Sequence, residues 1–282
     1  AVIAQVEAAR AAGQRITANM YTYTAGATGL DASMPLWVQA GGTQAWIARL
    51  KDPATRAKVV AEMRKPFPGQ ENLLLAAGSP DKVLLIGFKN PALKKYTGMS
   101  LAQVAKLRGM SPEDTAIDLV IEDGTRVGTV YFLMDEANVA RQTGLPWMAF
   151  GSDAEAQAPE GVFLLSSTHP RAYGNVSRLL GKYVRAENKA TLPDAIRRLT
   201  SFPATNLGIT DRGLLKAGNY ADVVVFDPKT IIDHATYEKP QQLSTGVDHV
   251  YVNGVQVLND GKPTGKAAGR FVKGPGAGKC AS

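Results

Sequence analysis

Pro146-Trp147-Met148-Ala149-Phe150 is an unbroken apolar run, preceded by a helix-like polar segment near Asp135 to Thr143 and followed at once by Gly151-Ser152-Asp153. A run this short, without polar alternation, fits a strand covered on both faces, and such strands belong to parallel sheets flanked by helices. The start of the chain has the same rhythm. Residues 2 to 12 have the pattern of an amphipathic helix ending at Gly13, and Arg15 to Tyr23 (RITANMYTY) reads as a strand rich in β-branched and aromatic residues. Helix, short turn and strand in succession predict an α/β fold. Asp153 then stands just past the C-terminal end of a buried strand, where parallel barrels place their reacting groups.

Between these parts the rhythm breaks down. From Ala25 to Pro112 the sequence shows Gly and Pro punctuation, one apolar run at Val83 to Phe88 and a helix around Leu101 to Arg108. Ser111-Pro112-Glu113-Asp114 reads as a helix start, with Pro in the first turn and acids at its positive end. After Asp153 a loop carries His169-Pro170-Arg171-Ala172-Tyr173-Gly174. Two helices are expected next, Asn175 to Glu187 and a second that opens at Thr191-Leu192-Pro193-Asp194, runs to Thr200 and is ended by Ser201-Phe202-Pro203-Ala204. From Arg212 the pattern becomes one of strands, with ADVVVFDP and a hairpin turning on Asn253-Gly254.

Composition narrows the function classes. With 45% hydrophobic and 20% charged residues the chain has an ordinary globular balance. No apolar run approaches the about 20 residues of a membrane-spanning helix. The net charge of +7 is scattered over Lys182, Arg185, Arg197, Arg198 and a tail holding Lys262, Lys266, Arg270, Lys273 and Lys279. No nucleic-acid motif accompanies it, so a solvated basic surface is expected and no nucleic-acid partner. Cys280, alone in a Gly-rich tail, has no partner for a disulfide and is read as incidental. Ala1 begins inside a helix with no capping residue and no signal-peptide pattern, which reads as a cut and leaves the compartment open.

The motifs GSD (Gly151 to Asp153), HPRAYG (His169 to Gly174), RLLGKYV (Arg178 to Val184), AIRRLTSFPATNLG, ADVVVFDP and YVNGVQV together resemble the D-aminoacylase branch of the amidohydrolase superfamily, the N-acyl-D-amino-acid deacylases. MYTYTAGATGL, MPLWVQAGG and RLKDPATR fit the same branch, so the resemblance runs essentially end to end. It implies the C-terminal part of a (β/α)8 barrel of a metal-dependent hydrolase with an insertion and a small β-sandwich. The implied division is a barrel segment at 1–28, an insertion over the barrel mouth at 29–125, a barrel segment with the catalytic loop at 126–208, a β-sandwich segment at 209–272 and a flexible tail at 273–282. The branch binds one or two zinc ions through a His-x-His pair, a Cys or carboxylate and two further His, all earlier than this segment. His169, His234 and His249 do not have that spacing. The expectation is therefore a second polypeptide carrying the front of the barrel and the His-x-His site, or else a truncated sequence, since an open half-barrel would leave its strand edges unpaired.

The resemblance assigns Asp153 as the general base and acid, with a contact to a second metal left open; the bland alternative is a turn or helix-capping Asp. Arg171 corresponds to the family residue that grips the substrate carboxylate, a task suited to a planar guanidinium fork. Tyr21 matches the first Tyr of the family's Tyr-Pro-Tyr segment and is expected to bind the same carboxylate. His169 is either a substrate contact or a residue that orders its loop. This sequence departs from the family in having Thr22 where Pro is usual and Ala27 where a substrate-binding Ser is often found. Tyr173 is read as packing, Trp37 and Trp147 as core aromatics, and Ser152 as no nucleophile because no His or Asp partners it. The expected reaction is hydrolysis of an N-acyl-D-amino acid or similar carboxylate-bearing amide. The alternatives are a related amidohydrolase acting on dipeptides or cyclic amides, and a non-catalytic binding or scaffold subunit.

Overall fold

The computed structural model describes residues 1–277. Helix α1 (Val2–Ala11) ends at Gly13, whose φ of +88° a side chain rarely adopts, and strand β1 (Ala18–Met20) follows. The strand expected over Arg15 to Tyr23 is thus shorter. At Tyr21 the chain leaves the extended line, and the buried Thr22 is captured elsewhere, its N–H donating to Asn175 Oδ1 at 2.8 Å.

Strand β2 (Gly26–Gly29) opens a unit that the sequence rhythm did not reveal. Helices α2 (Leu36–Gln39), α3 (Gly42–Lys51), α4 (Pro53–Met63) and α5 (Leu73–Ala77) precede strand β3 (Val83–Gly87). Helices α6 (Leu101–Arg108) and α7 (Pro112–Asp123) lead to strand β4 (Gly128–Tyr131). The strands form an antiparallel sheet in the order β2-β4-β3. Behind the Gly and Pro punctuation lie helix caps. Asp52 accepts from the Thr55 N–H ahead of Pro53, Asn72 caps α5, and Ser100 with Gln103 forms a reciprocal capping box. One face of the sheet, through Val83, Leu85 and Tyr131, joins the largest apolar core, with Leu30, Met34, Trp46, Leu50, Leu119 and Val120. Arg56 ties α4 to α7 by pairing with Asp114 at 2.9 Å and Asp118 at 2.5 Å. Trp37 corrects the expectation of a core aromatic: it is 39% exposed, its indole N–H donates to Glu62 and Lys58 lies over its ring. Trp147 is buried.

Helix α8 (Glu136–Thr143), capped by Asp135, leads to strand β5 (Met148–Phe150). Strands β1 and β5 pair in parallel, Ala18 opposite Met148 and Met20 opposite Phe150, in keeping with the expected parallel α/β rhythm. Helix α9 (Arg171–Arg178) starts directly after Pro170, four residues earlier than expected, because the ring of Pro170 already holds a helical φ of −59°. The helix continues with π geometry through Leu179–Ala186. There Gly181 is required, since a Cβ would lie 2.6 Å from the Ile231 carbonyl oxygen.

Helix α10 (Leu192–Leu199) is followed immediately by α11 (Ser201–Asn206), so Ser201 to Ala204 begin a new helix where a stop was expected; the break falls at Thr200. The buried Arg198 fastens α10 to the chain before β5. It donates to the Thr143 and Leu145 carbonyls, both at 2.8 Å, pairs with Asp194 and lies over the Phe150 ring. Strands β6 (Val223–Phe226), β7 (Val247–Val252), β8 (Val255–Asn259) and β9 (Lys262–Pro263) form one antiparallel sheet in sequence order. Asn253 and Gly254 both have positive φ, as a two-residue hairpin turn requires. Part of the tail expected at 273–282, Cys280 included, lies outside the described residues.

The core behind the three-stranded sheet is expected to dominate stability. Replacing the fully buried Leu119 by Ala should cost about 2–5 kcal/mol. The same change at Leu107, 67% exposed, should cost under about 0.5 kcal/mol. Urea denaturation of both variants checks this, and equal costs would contradict the assignment of that core.

Candidate active site

Four separate stretches converge past the end of β5. The Gly151 N–H donates to the Met20 carbonyl, and two residues later Asp153 adopts a left-handed φ of +49° with its side chain 72% exposed. An Asp tolerates that backbone better than a branched residue would. Arg171, first residue of α9, is buried to 5% exposure, yet its Nη2 lies 2.9 Å from Asp153 Oδ2. Its guanidinium stacks over the Tyr21 ring with 4.4 Å to the centroid. Its Nε is a buried donor without a partner. A buried unpaired donor on a cation is a strong attractor for an anionic acceptor.

His169 sits between them, 2% exposed. Its Nε2 is 2.8 Å from the Ala25 carbonyl oxygen and its Nδ1 accepts the Arg171 backbone N–H at 3.0 Å. A carbonyl only accepts and an N–H only donates, so the proton must be on Nε2. Both ring nitrogens are then committed to the backbone, which leaves no ring atom for a substrate and favours the loop-ordering alternative over a substrate contact. Burial, and next the Arg171 charge, push its pKa down to about 4. Tyr21, Tyr23 and Tyr237 present edges to the imidazole at centroid distances of 5.9, 5.7 and 5.3 Å. Burial above all pushes the Tyr21 phenol up, so it stays a neutral donor.

Asp153, Arg171, Tyr21 and His169 are therefore brought together. Ala27 lies in β2 opposite Val130 and contributes no side-chain donor. Thr22 has its own role, its hydroxyl reaching Asn175 at 3.0 Å while its carbonyl accepts from Arg178 Nε at 2.9 Å. A Pro there would lack the N–H that Asn175 receives. His234 and His249 stay in the β unit, against Thr245 and Gln256. The Ser152 hydroxyl donates to the Ala154 carbonyl. A cavity of about 580 Å3 opens between Thr97, Ser166 and Gln241, but Asp153, Arg171 and Tyr21 do not line it. The size of that cavity therefore does not locate the chemistry.

Sequence reasoning missed Asn175, Arg178 and Asp233. The first two had a signal: Arg171, Asn175 and Arg178 recur at four- and three-residue steps and so share one helix face. Asp233 had none, because nothing local marks a residue between two strands as the partner of Tyr23 and Arg178, at 3.0 and 3.4 Å. Among the described residues no group of three or more His, Cys, Asp or Glu is placed to hold a metal ion.

The neutral imidazole generates a pH dependence. Because the folded state lowers the pKa of His169 from 6.5 to about 4, its contribution to stability is complete above 6.5 and is lost as pH falls through that window. Denaturant titrations of wild type and His169→Gln across the window should show a difference that shrinks on acidification. A constant difference would mean the ring is not held neutral.

The Amidohydrolase family model matches residues 100–258. A curated D-aminoacylase of Alcaligenes xylosoxydans xylosoxydans is 36% identical over 197 residues, 68% of this chain and 38% of that protein. The N-acyl-D-glutamate deacylase of the same organism is 34% identical over 210 residues, 74% of this chain and 40% of that protein. The crystal structure of an N-acyl-D-glutamate deacylase from Bordetella bronchiseptica, complexed with zinc and a phosphonate inhibitor, superposes with a TM-score of 0.66 at 28% identity, over 93% of this chain and 44% of that one. This chain thus spans under half the length of each of these proteins. With the family model matching more than half of the sequence and the mixed α/β architecture shared with solved relatives, the chain belongs to the amidohydrolase family.

Proposed function

We propose that this chain supplies the substrate-carboxylate clamp and the proton-transferring carboxylate of an enzyme that hydrolyses N-acyl-D-amino acids or similar carboxylate-bearing amides. The observation that carries the reading is the buried Arg171 fork with a free Nε, stacked on Tyr21 and facing the exposed Asp153. In this reading β1 and β5 are neighbouring strands of a (β/α)8 barrel, and 26–131 is an insertion beside its mouth. Strands β6 to β9 are one part of a β-sandwich.

Arg171 donates two parallel hydrogen bonds to the substrate carboxylate, and the Tyr21 phenol adds a third donor. This fixes the amide relative to Asp153. Asp153 takes a proton from the attacking water and returns it to the departing amide nitrogen, leaving a free carboxylic acid and a D-amino acid. The D preference follows the relatives, since all three act on D-amino-acid derivatives by their names.

The zinc of the solved relative supports zinc in the complete enzyme as well. Among the described residues no group of three or more His, Cys, Asp or Glu is placed to form its site: both ring nitrogens of His169 are committed to Ala25 and Arg171, and His234 and His249 lie in the β unit beside Thr245 and Gln256. We place its ligands on polypeptide outside this sequence, consistent with the 38 to 44% of each relative that the chain spans.

In the complete enzyme, Arg171→Met should lower kcat/KM for N-acyl-D-amino acids by roughly 10- to 150-fold, the worth of one charged hydrogen-bonded contact. Turnover of the matching C-terminal carboxamide should be nearly unchanged. Asp153→Asn should lower kcat for both by about 100-fold or more. Steady-state kinetics on the two substrates checks this; an Arg171→Met variant that loses both equally would refute the clamp.

A further inference from the structure

The clamp is not held by its own helix alone. Arg171 hangs on His169 through its backbone N–H, and His169 is boxed by three tyrosine edges. Two walls of that box depend on one short segment of the β unit. Tyr237 is one wall itself, and Asp233, four residues earlier, accepts the Tyr23 hydroxyl at 3.0 Å and so sets the other. The carboxylate of Asp233 is only 10% exposed and also meets Arg178 Nη1 at 3.4 Å, while the Arg178 guanidinium lies over the Tyr23 ring at 4.8 Å.

The sequence has been shaped around this contact. At Gly174 a Cβ would sit 2.1 Å from the Tyr23 hydroxyl and 2.9 Å from Asp233 Cβ, so only glycine lets α9 pass beneath the pair. Asp233 itself is fixed because the preceding Ile232 exchanges two backbone hydrogen bonds with Thr245, each 3.1 Å. Burial, and next Asp233, push the Tyr23 phenol up, which keeps it a donor to the carboxylate.

We propose that Asp233 is a positioning residue for the substrate-carboxylate clamp, acting through Tyr23 and the tautomer of His169 to hold the Arg171 backbone, so that the β unit tunes carboxylate affinity. This rests on the clamp reading of Arg171. Freed from Asp233, the Tyr23 ring stops shielding the imidazole. The imidazole can then turn out of line with the Ala25 carbonyl that holds its Nε2–H, the tautomers exchange, and protonation at Nδ1 removes the acceptor for the Arg171 N–H.

The test uses the complete enzyme with 15N-labelled histidine. Wild type should show His169 as a single Nε2–H tautomer. Asp233→Ala, which removes the acceptor of the Tyr23 hydroxyl, and Tyr23→Phe should show its two ring nitrogens averaged. In kinetics the same variants should raise KM for N-acetyl-D-leucine about tenfold with kcat within about twofold, the pattern of lost ground-state binding. Asp260→Asn, a carboxylate of the same unit that is 82% exposed, should match wild type in both. A retained Nε2–H tautomer in both variants overturns the proposal, and so does a lowered Tm with KM unchanged. If wild type fails to hydrolyse any N-acyl-D-amino acid, the function reading falls, and the tautomer alone decides whether Asp233 positions His169.

Discussion

A neutral imidazole with both nitrogens on backbone groups holds the site together. His169 links the Ala25 carbonyl, in the turn between β1 and β2, to the first N–H of α9. That N–H is one of the donors a helix start leaves unpaired, and here it belongs to a buried residue. Satisfying it with a ring that must also donate to Ala25 fixes the tautomer, the ring plane and the start of α9 at once. Arg171 inherits its place from these bonds, and its charge in turn disfavours protonation of the ring that holds it.

The same economy recurs around it. Thr22 and Asn175 exchange hydrogen bonds through backbone and side chain, so the bend after β1 is stitched to α9. Arg178 reaches back to the Thr22 carbonyl and sideways to Asp233. Buried polar groups are costly unless paired, and one network that pairs nearly all of them specifies a single arrangement of three segments far apart in sequence. Among the buried donors left without a partner, with Asn175 Nδ2 and the Tyr237 hydroxyl, is Arg171 Nε, at the point where the proposed reaction needs one.

The apolar packing is divided differently from the polar network. One large core lies behind the β2-β4-β3 sheet, and a smaller one joins Phe150, Leu179, Tyr183 and Ala195 to Ile231 of the β unit. Ile231 and Asp233 thus leave one short segment in two directions, the first into packing and the second into the clamp. This is why a unit remote in sequence from Asp153 bears on the site at all. The proposed chemistry needs Arg171 to be rigid and Asp153 to be accessible, and the structure separates those demands by burying the first and exposing the second.

The parallel α/β character was legible from two strand segments that follow helices, and the position of Asp153 from the Gly-Ser that ends the second; that β1 and β5 are neighbours came from the structure. Arg171 and Tyr21 were singled out by the family resemblance of HPRAYG and MYTYTAGATGL, while their stacking on one another came only with the fold. The antiparallel unit between Gly26 and Tyr131 was not, since its short helices are set by caps such as Asp52, Asn72 and Ser100 that look like loop residues until their N–H partners are in place. The role of His169 was open on sequence alone: a lone His before Pro has the same letters whether its ring is free or spent. Only the fold brings Ala25 to the side of that ring opposite the local Arg171 N–H, and Asp233 to the hydroxyl of Tyr23. Hydrogen-bond partners across such separations are selected by packing in three dimensions, which no local periodicity encodes.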